Sequence, residues 1–249
     1  MLRTANPALN ATTFKDLEHT ADRSKVMTIQ GTVNKTAWLL CALLLTSSWT
    51  WNKFFATGDP SSVGIWITIG ALGGFGVALV TVFKKTWAPV TAPVYAALEG
   101  LFLGGISSIF EAKFPGIVIQ AVGLTFGTLF CLLLAYKSGL IRATENFKLG
   151  VVAATGGIAL VYFITMILGF FGVQIPMLHG SGIIGIGFSL FVVVIAALNL
   201  VLDFDFIENG AQAGAPKYME WYGAFGLMVT LIWLYIEMLR LLTKLRERE

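Results

Sequence analysis

The stretch GIIGIGFSLFVVVIAALNLVL, residues 182–202, carries no charged side chain and runs directly into the acidic segment Asp203-Phe204-Asp205-Phe206-Ile207-Glu208. A helix needs about 20 mostly apolar residues to cross the hydrocarbon of a bilayer, where each unpaired backbone amide costs several kcal/mol. Gly182 to Leu202 meets that requirement and predicts a membrane span. Working outward, six more runs meet it: Val33 to Trp51, Val63 to Phe83, Val90 to Phe110, Ile117 to Tyr136, Leu149 to Phe171 and Trp221 to Leu242. The fold class predicted is all-α, a polytopic bundle of seven transmembrane helices.

Composition agrees. The 249 residues are 56% hydrophobic and only 12% charged, with a mean hydropathy of +0.78. A water-soluble globule of this size buries about three quarters of its surface, which leaves too little polar surface here to cover the rest. The net charge is +3, but the basic residues are scattered between apolar runs, which speaks against a nucleic-acid partner. Cys41 and Cys131 lie inside apolar runs with no zinc-like spacing and are expected to be inert packing residues.

The organisation expected is a polar N-terminal tail over residues 1–32, a transmembrane domain over 33–243 and a short basic C-terminal tail over 244–249. The tail has no apolar core of the signal-peptide kind. Lys and Arg concentrate on the N-terminal side of the spans, including Lys35, Lys84, Lys85, Lys137, Arg142, Lys148 and Lys217, whereas the opposite loops hold Lys53 and Lys113. The positive-inside rule then makes the N-terminus cytoplasmic. Arg240, Lys244, Arg246 and Arg248 run against that assignment. A re-entrant hairpin over Phe204 to Gly226, interrupted by Asn209-Gly210, Gly214 and Pro216, is one way to return the C-terminus to the cytoplasm. Gly70 with Gly74, and Gly100 with Gly104, stand at helical spacing and predict close helix approach.

A charged carboxylate at bilayer depth costs at least about 2.5 kcal/mol, so each one in an apolar run is a candidate site. Glu99 stands mid-way along the third run. It is expected to point into the bundle, either as part of a polar pathway or hydrogen-bonded to a Ser, Thr or Tyr. Asp203 and Asp205 close the sixth run, with Glu208 beyond. Two positions apart on a helix is about 200 degrees, so both cannot face one partner. Glu237 lies in the last run with Arg240 three positions on, on the same face. Two carboxyls meeting in a low-dielectric interior tend to share a proton, which makes a pH switch. Their oxygens also suit calcium, which as a resident ion needs six to eight of them. His19 and His179 have no ligand-like companions. HExxH, GxSxG, Walker and strand-linked GxGxxG patterns are absent, so enzymatic chemistry lacks its usual groups.

The segment Leu202-Asp203-Phe204-Asp205-Phe206-Ile207-Glu208, together with Leu234-Tyr235-Ile236-Glu237-Met238-Leu239-Arg240-Leu241-Leu242, resembles the paired signatures of the Bax inhibitor-1 family, also called the transmembrane Bax inhibitor motif family. The stretch Ala215 to Gly226 is similar to its bacterial branch. The resemblance covers the layout from Val33 onward. It implies a bundle in which a proton-sensitive pair of carboxyls, here Asp203 and Glu237, gates a calcium leak, with transient calcium contact and no cofactor. The implied setting is the cell's inner (plasma) membrane, with calcium ions, protons and the lipid bilayer as partners. The chain departs from the pattern in having Glu237 where the family has Asp, and in a longer gap from Asp203. For the basic residue that the family's second helix adds to the latch, only Lys84 and Lys85 are available. Two other functions remain open: a membrane adaptor that regulates a membrane protease or other partner through its tail, and a proton-coupled transporter.

Overall fold

Thr28 opens the first helix, its hydroxyl accepting the amide of Gly31, and the left-handed Gly58 closes it by donating to the Phe54 carbonyl. The computed structural model describes residues 26–172 and 180–248. Within them seven long helices follow one another: α1 (Ile29–Thr57), α2 (Ser61–Phe83), α3 (Ala88–Lys113), α4 (Ile117–Lys137), α5 (Glu145–Phe170), α6 (Ile183–Gln212) and α7 (Met219–Arg246). Helices α2 to α7 are each long and apolar enough to cross a membrane. Helix α1 is long enough, but Thr32, Thr36 and Thr50 interrupt its apolar surface. They are buried, and each hydroxyl donates to the carbonyl four residues earlier in the chain, so these three polar groups are satisfied without water. The chain is a polytopic helical membrane protein.

Glycines set the packing of the first three helices. A side chain at Gly100 or Gly104 of α3 would stand 1.9 Å from the Thr46 hydroxyl or 2.1 Å from the Thr50 hydroxyl of α1, and one at Gly70 of α2 would stand 2.6 Å from the Leu98 carbonyl of α3. The predicted close approach is therefore real, and α3 is held between α1 and α2. Gly182 and Gly187 have no neighbour in this position within 4 Å and serve no such contact.

Helix α7 is the centre of the bundle. It packs against α1, α3, α4 and α6, and Tyr222, Phe225, Met228 and Leu234 are fully enclosed. Helix α5 leans on α6 and turns Phe163, Ile164 and Phe170 outward, where lipid replaces protein as the apolar neighbour. Cys41 and Cys131 also lie exposed on outer faces. The expectation that they pack inside the bundle is corrected.

The re-entrant hairpin is also corrected. Helix α6 runs through Asn209-Gly210 to Gln212, because the Asn209 amide donates to its own helix at the Asp205 carbonyl (2.6 Å). The break is confined to the turn holding Gly214, at φ 67°, and Pro216. Helix α7 then continues unbroken to Arg246, and Lys113 at the end of α3 pairs with Glu247 at 2.8 Å. The basic C-terminal end thus lies at the α3–α4 turn, the end of the bundle opposite to Thr28.

Candidate functional site

Three carboxyls of α6 and α7 are completely or almost completely withdrawn from solvent: Asp203 (0% exposed), Glu220 (0%) and Glu237 (1%). Their depths follow from how the two helices pair. Phe206 stacks near Tyr222, Ile207 lies over Gly223, and at the far end the Lys244 ammonium donates to the Gly185 carbonyl at 3.0 Å. All three contacts give one antiparallel register. It sets Asp203 level with Gly226 and Glu237 level with Val192, about 16 Å apart along the axis at 1.5 Å per residue. The structure does not bring Asp203 and Glu237 together. A directly shared proton, or a single calcium ion held by both, is therefore excluded in this arrangement, because α7 is one continuous helix with no break between those two levels. Among the described residues there is no group of three or more His, Cys, Asp or Glu side chains able to hold a metal ion.

Glu237 has company of a different kind. Its Oε1 accepts from the Tyr162 hydroxyl of α5 at 3.0 Å and from the Arg240 guanidinium at 2.7 Å, and the same guanidinium donates to the Tyr162 hydroxyl at 2.6 Å. Arg240 is the partner that the i, i+3 spacing predicts. Its planar group also lies over the Tyr162 ring, 5.1 Å from the centroid. Glu237 Oε2 is buried with no hydrogen-bond partner among the described residues. This carboxyl is half-coordinated.

Asp205 and Asp203 diverge as helical geometry requires. Asp205 turns to α5 and forms a 2.7 Å ion pair with the buried Lys148. Glu208 accepts from the Tyr136 hydroxyl of α4 at 2.5 Å. Both line a cavity of about 770 Å³ between α1, α4 and α6. Glu99 is half-buried at the α2–α3 contact, where a side chain on Gly74 would come 2.6 Å from its Oε1. No hydrogen bond or ion pair from another described residue reaches it, so of the two readings of Glu99 the one with a Ser, Thr or Tyr partner finds none among the described residues. Lys84 and Lys85 stand at the α2–α3 turn. His19, His179 and residues 1–25 of the tail through which an adaptor would bind lie outside the described residues.

Glu220 was not singled out by the sequence. Its carboxylate accepts from the Thr28 amide (3.0 Å) and hydroxyl (2.9 Å), and pairs with Lys217 (2.8 Å) and Lys35 (3.0 Å). It lies in the first turn of α7, where the helix dipole also favours negative charge. With the Met27 amide on the Ala215 carbonyl at 2.6 Å, it fastens the start of α1 to the start of α7. The available signal was a helix-capping Thr before one helix and Lys-x-x-Glu at the start of another, but only the fold shows that the two meet.

A family model described as Bax inhibitor 1 like matches residues 6–247, nearly the whole chain. Searches among curated proteins and among solved structures returned no match.

Proposed function

The chain belongs to the Bax inhibitor 1 like family, and on that premise we propose that it is a channel-like protein of the inner (plasma) membrane that leaks calcium according to pH, with its N-terminal end in the cytoplasm. The observation that carries this reading is the complete enclosure of Asp203 within α6, at a level where α7 offers the small residue Gly226. A charged carboxylate in such a place attracts cations and repels like charge, and a protonated one packs as a neutral group. Proton loss therefore favours an ion-admitting state and proton gain a closed one.

Because Asp203 and Glu237 stand at different depths, they act as two stations rather than one latch. Asp203 responds to protons within the α6–α7 contact. Glu237 is tied to Arg240 and Tyr162 towards the opposite end, so its protonation releases the guanidinium. Asp205, paired with Lys148, and Glu208 lie at the wall of the larger cavity, where Glu208 is the carboxylate that draws cations towards it, and Glu99 is a further mid-depth polar position on the α2–α3 side. The reading needs no resident cofactor and no covalent step.

The test is calcium flux into dye-loaded liposomes over a pH series for wild type, Asp203→Asn and Glu237→Gln. Asp203→Asn is expected to flatten the dependence most, and Glu237→Gln to shift it. Two variants with the wild-type pH profile sink the proposal. Saturable counterflow of a specific substrate would assign the carboxyls to a proton-coupled transporter instead.

A further inference from the structure

Helices α1 and α4 both lean on α7 yet scarcely touch each other. The crevice between them holds two cavities, of about 770 and 470 Å³, and Leu40 of α1 and Phe126 of α4 border both. On α1 the larger cavity runs from Ile29 to Leu40 and the smaller from Leu40 to Asn52. At 1.5 Å per residue these lengths are about 16 and 18 Å. A bilayer's hydrocarbon is about 30 Å thick, so each chamber has the depth of one leaflet. Val33 and Phe130, on the two edges of the larger chamber, are more than half exposed, so its open side faces lipid.

The rim of that chamber is charged. Arg142 and Lys137 line it and form no ion pair with other described residues, whereas Asp205 is neutralised by Lys148 at 2.7 Å. Glu208 lines it too, bonded to Tyr136 and to Gln212 but to no cation among the described residues. Two uncommitted cations and one carboxylate at the mouth of an acyl-deep apolar chamber complement a head that joins a phosphate to a primary ammonium. We propose that this crevice binds a phosphatidylethanolamine-type lipid, with one acyl chain between α1 and α4, its phosphate on Arg142 and Lys137 and its ammonium on Glu208. Guanidinium and lysine ammonium groups both bind phosphate, and a carboxylate accepts hydrogen bonds from a primary ammonium but not from a quaternary one. This proposal does not depend on the protein conducting ions.

Native mass spectrometry of the purified full-length protein, titrated separately with phosphatidylethanolamine, phosphatidylcholine and phosphatidylglycerol, tests it. Phosphatidylethanolamine is expected to be retained best. Neutralising Arg142→Gln and Lys137→Gln should each weaken it about fivefold, the contribution of one interfacial cation. Glu208→Gln should abolish the preference over phosphatidylcholine while leaving binding itself. Ala37→Phe, on the exposed wall of the chamber, should weaken retention of every lipid, whereas the rim variants add no bulk between helices and so keep the test valid if Ala37→Phe does not fold. Chain-free glycerophosphoethanolamine should compete poorly. Equal retention of the three lipids, full competition by the chain-free head, or rim variants that bind like wild type would each overturn the assignment.

Discussion

Glu220 and Glu237 sit near opposite ends of α7, equally hidden from solvent, and their surroundings differ in kind. Glu220 is met by two lysines, a hydroxyl and a backbone amide, all within 3.0 Å. Glu237 receives a guanidinium and a phenol on one oxygen, and its other oxygen receives nothing from the described residues. Burial alone thus does not mark a working acid. A carboxylate with four donors is a fastening, whose charge is needed to hold two helices. One that engages a single oxygen holds fewer contacts, so replacing it disturbs the packing less.

The contrast breaks first at Glu220. Glu220→Ala leaves two lysines without their anion, and removing one partner of a buried pair costs 3–5 kcal/mol. Lys35 and Lys217 retain access to solvent, so the expected loss is about 3 kcal/mol, read as a lower unfolding midpoint in detergent with the α1–α7 junction opening to hydrogen exchange. An unchanged midpoint would show that the fastening is ornamental. Next is Gly31→Ala, whose added carbon would lie 1.9 Å from Glu220 Oε1. With Glu220 intact, a loss of about 1–3 kcal/mol from overpacking in the same assay would locate the effect in the junction's geometry rather than in charge alone.

Glu237→Gln should behave oppositely, changing stability by no more than about 1 kcal/mol, the worth of one hydrogen bond, while shifting the pH profile of calcium flux. A large stability loss with unaltered flux would make Glu237 a second fastening. Tyr162→Phe removes one donor from its Oε1, with an expected loss of about 1 kcal/mol and a flux profile displaced in the direction of Glu237→Gln. The smallest effect belongs to Asp59, in the α1–α2 turn, whose carboxylate accepts from the Ser61 amide and hydroxyl. Those bonds hold its pKa below the ordinary value. Its contribution is therefore present above the unfolded carboxyl's pKa of about 3.9 and is lost as pH falls through the lower folded value. Asp59→Asn should remove that acid dependence and barely move the midpoint at neutral pH.

The seven helices were legible because lipid leaves hydropathy little competition as a signal. Ile117 begins α4 as the sequence predicts, and α2 ends at Phe83. The ends were less legible where polar residues continue a helix. The sixth apolar run stops at Leu202, yet α6 persists to Gln212, since Asp205, Glu208 and Asn209 find partners on neighbouring helices or on their own backbone. Arg240 was readable as Glu237's partner from spacing within one helix. Tyr162 and Lys148 were not, because both arrive from α5 and depend on which helices neighbour it. The separation of Asp203 from Glu237 was hidden for the same reason. It is fixed by a register set at Gly223 and Gly185, whose contacts are invisible in a list of acidic residues.

The short bridge from Val26 to Pro216, with the Met27 amide on Ala215, splices the approach to the first helix to the turn from which the last helix begins. A displacement at that splice therefore passes through a single backbone link to the continuous rod that carries Glu237 towards its other end.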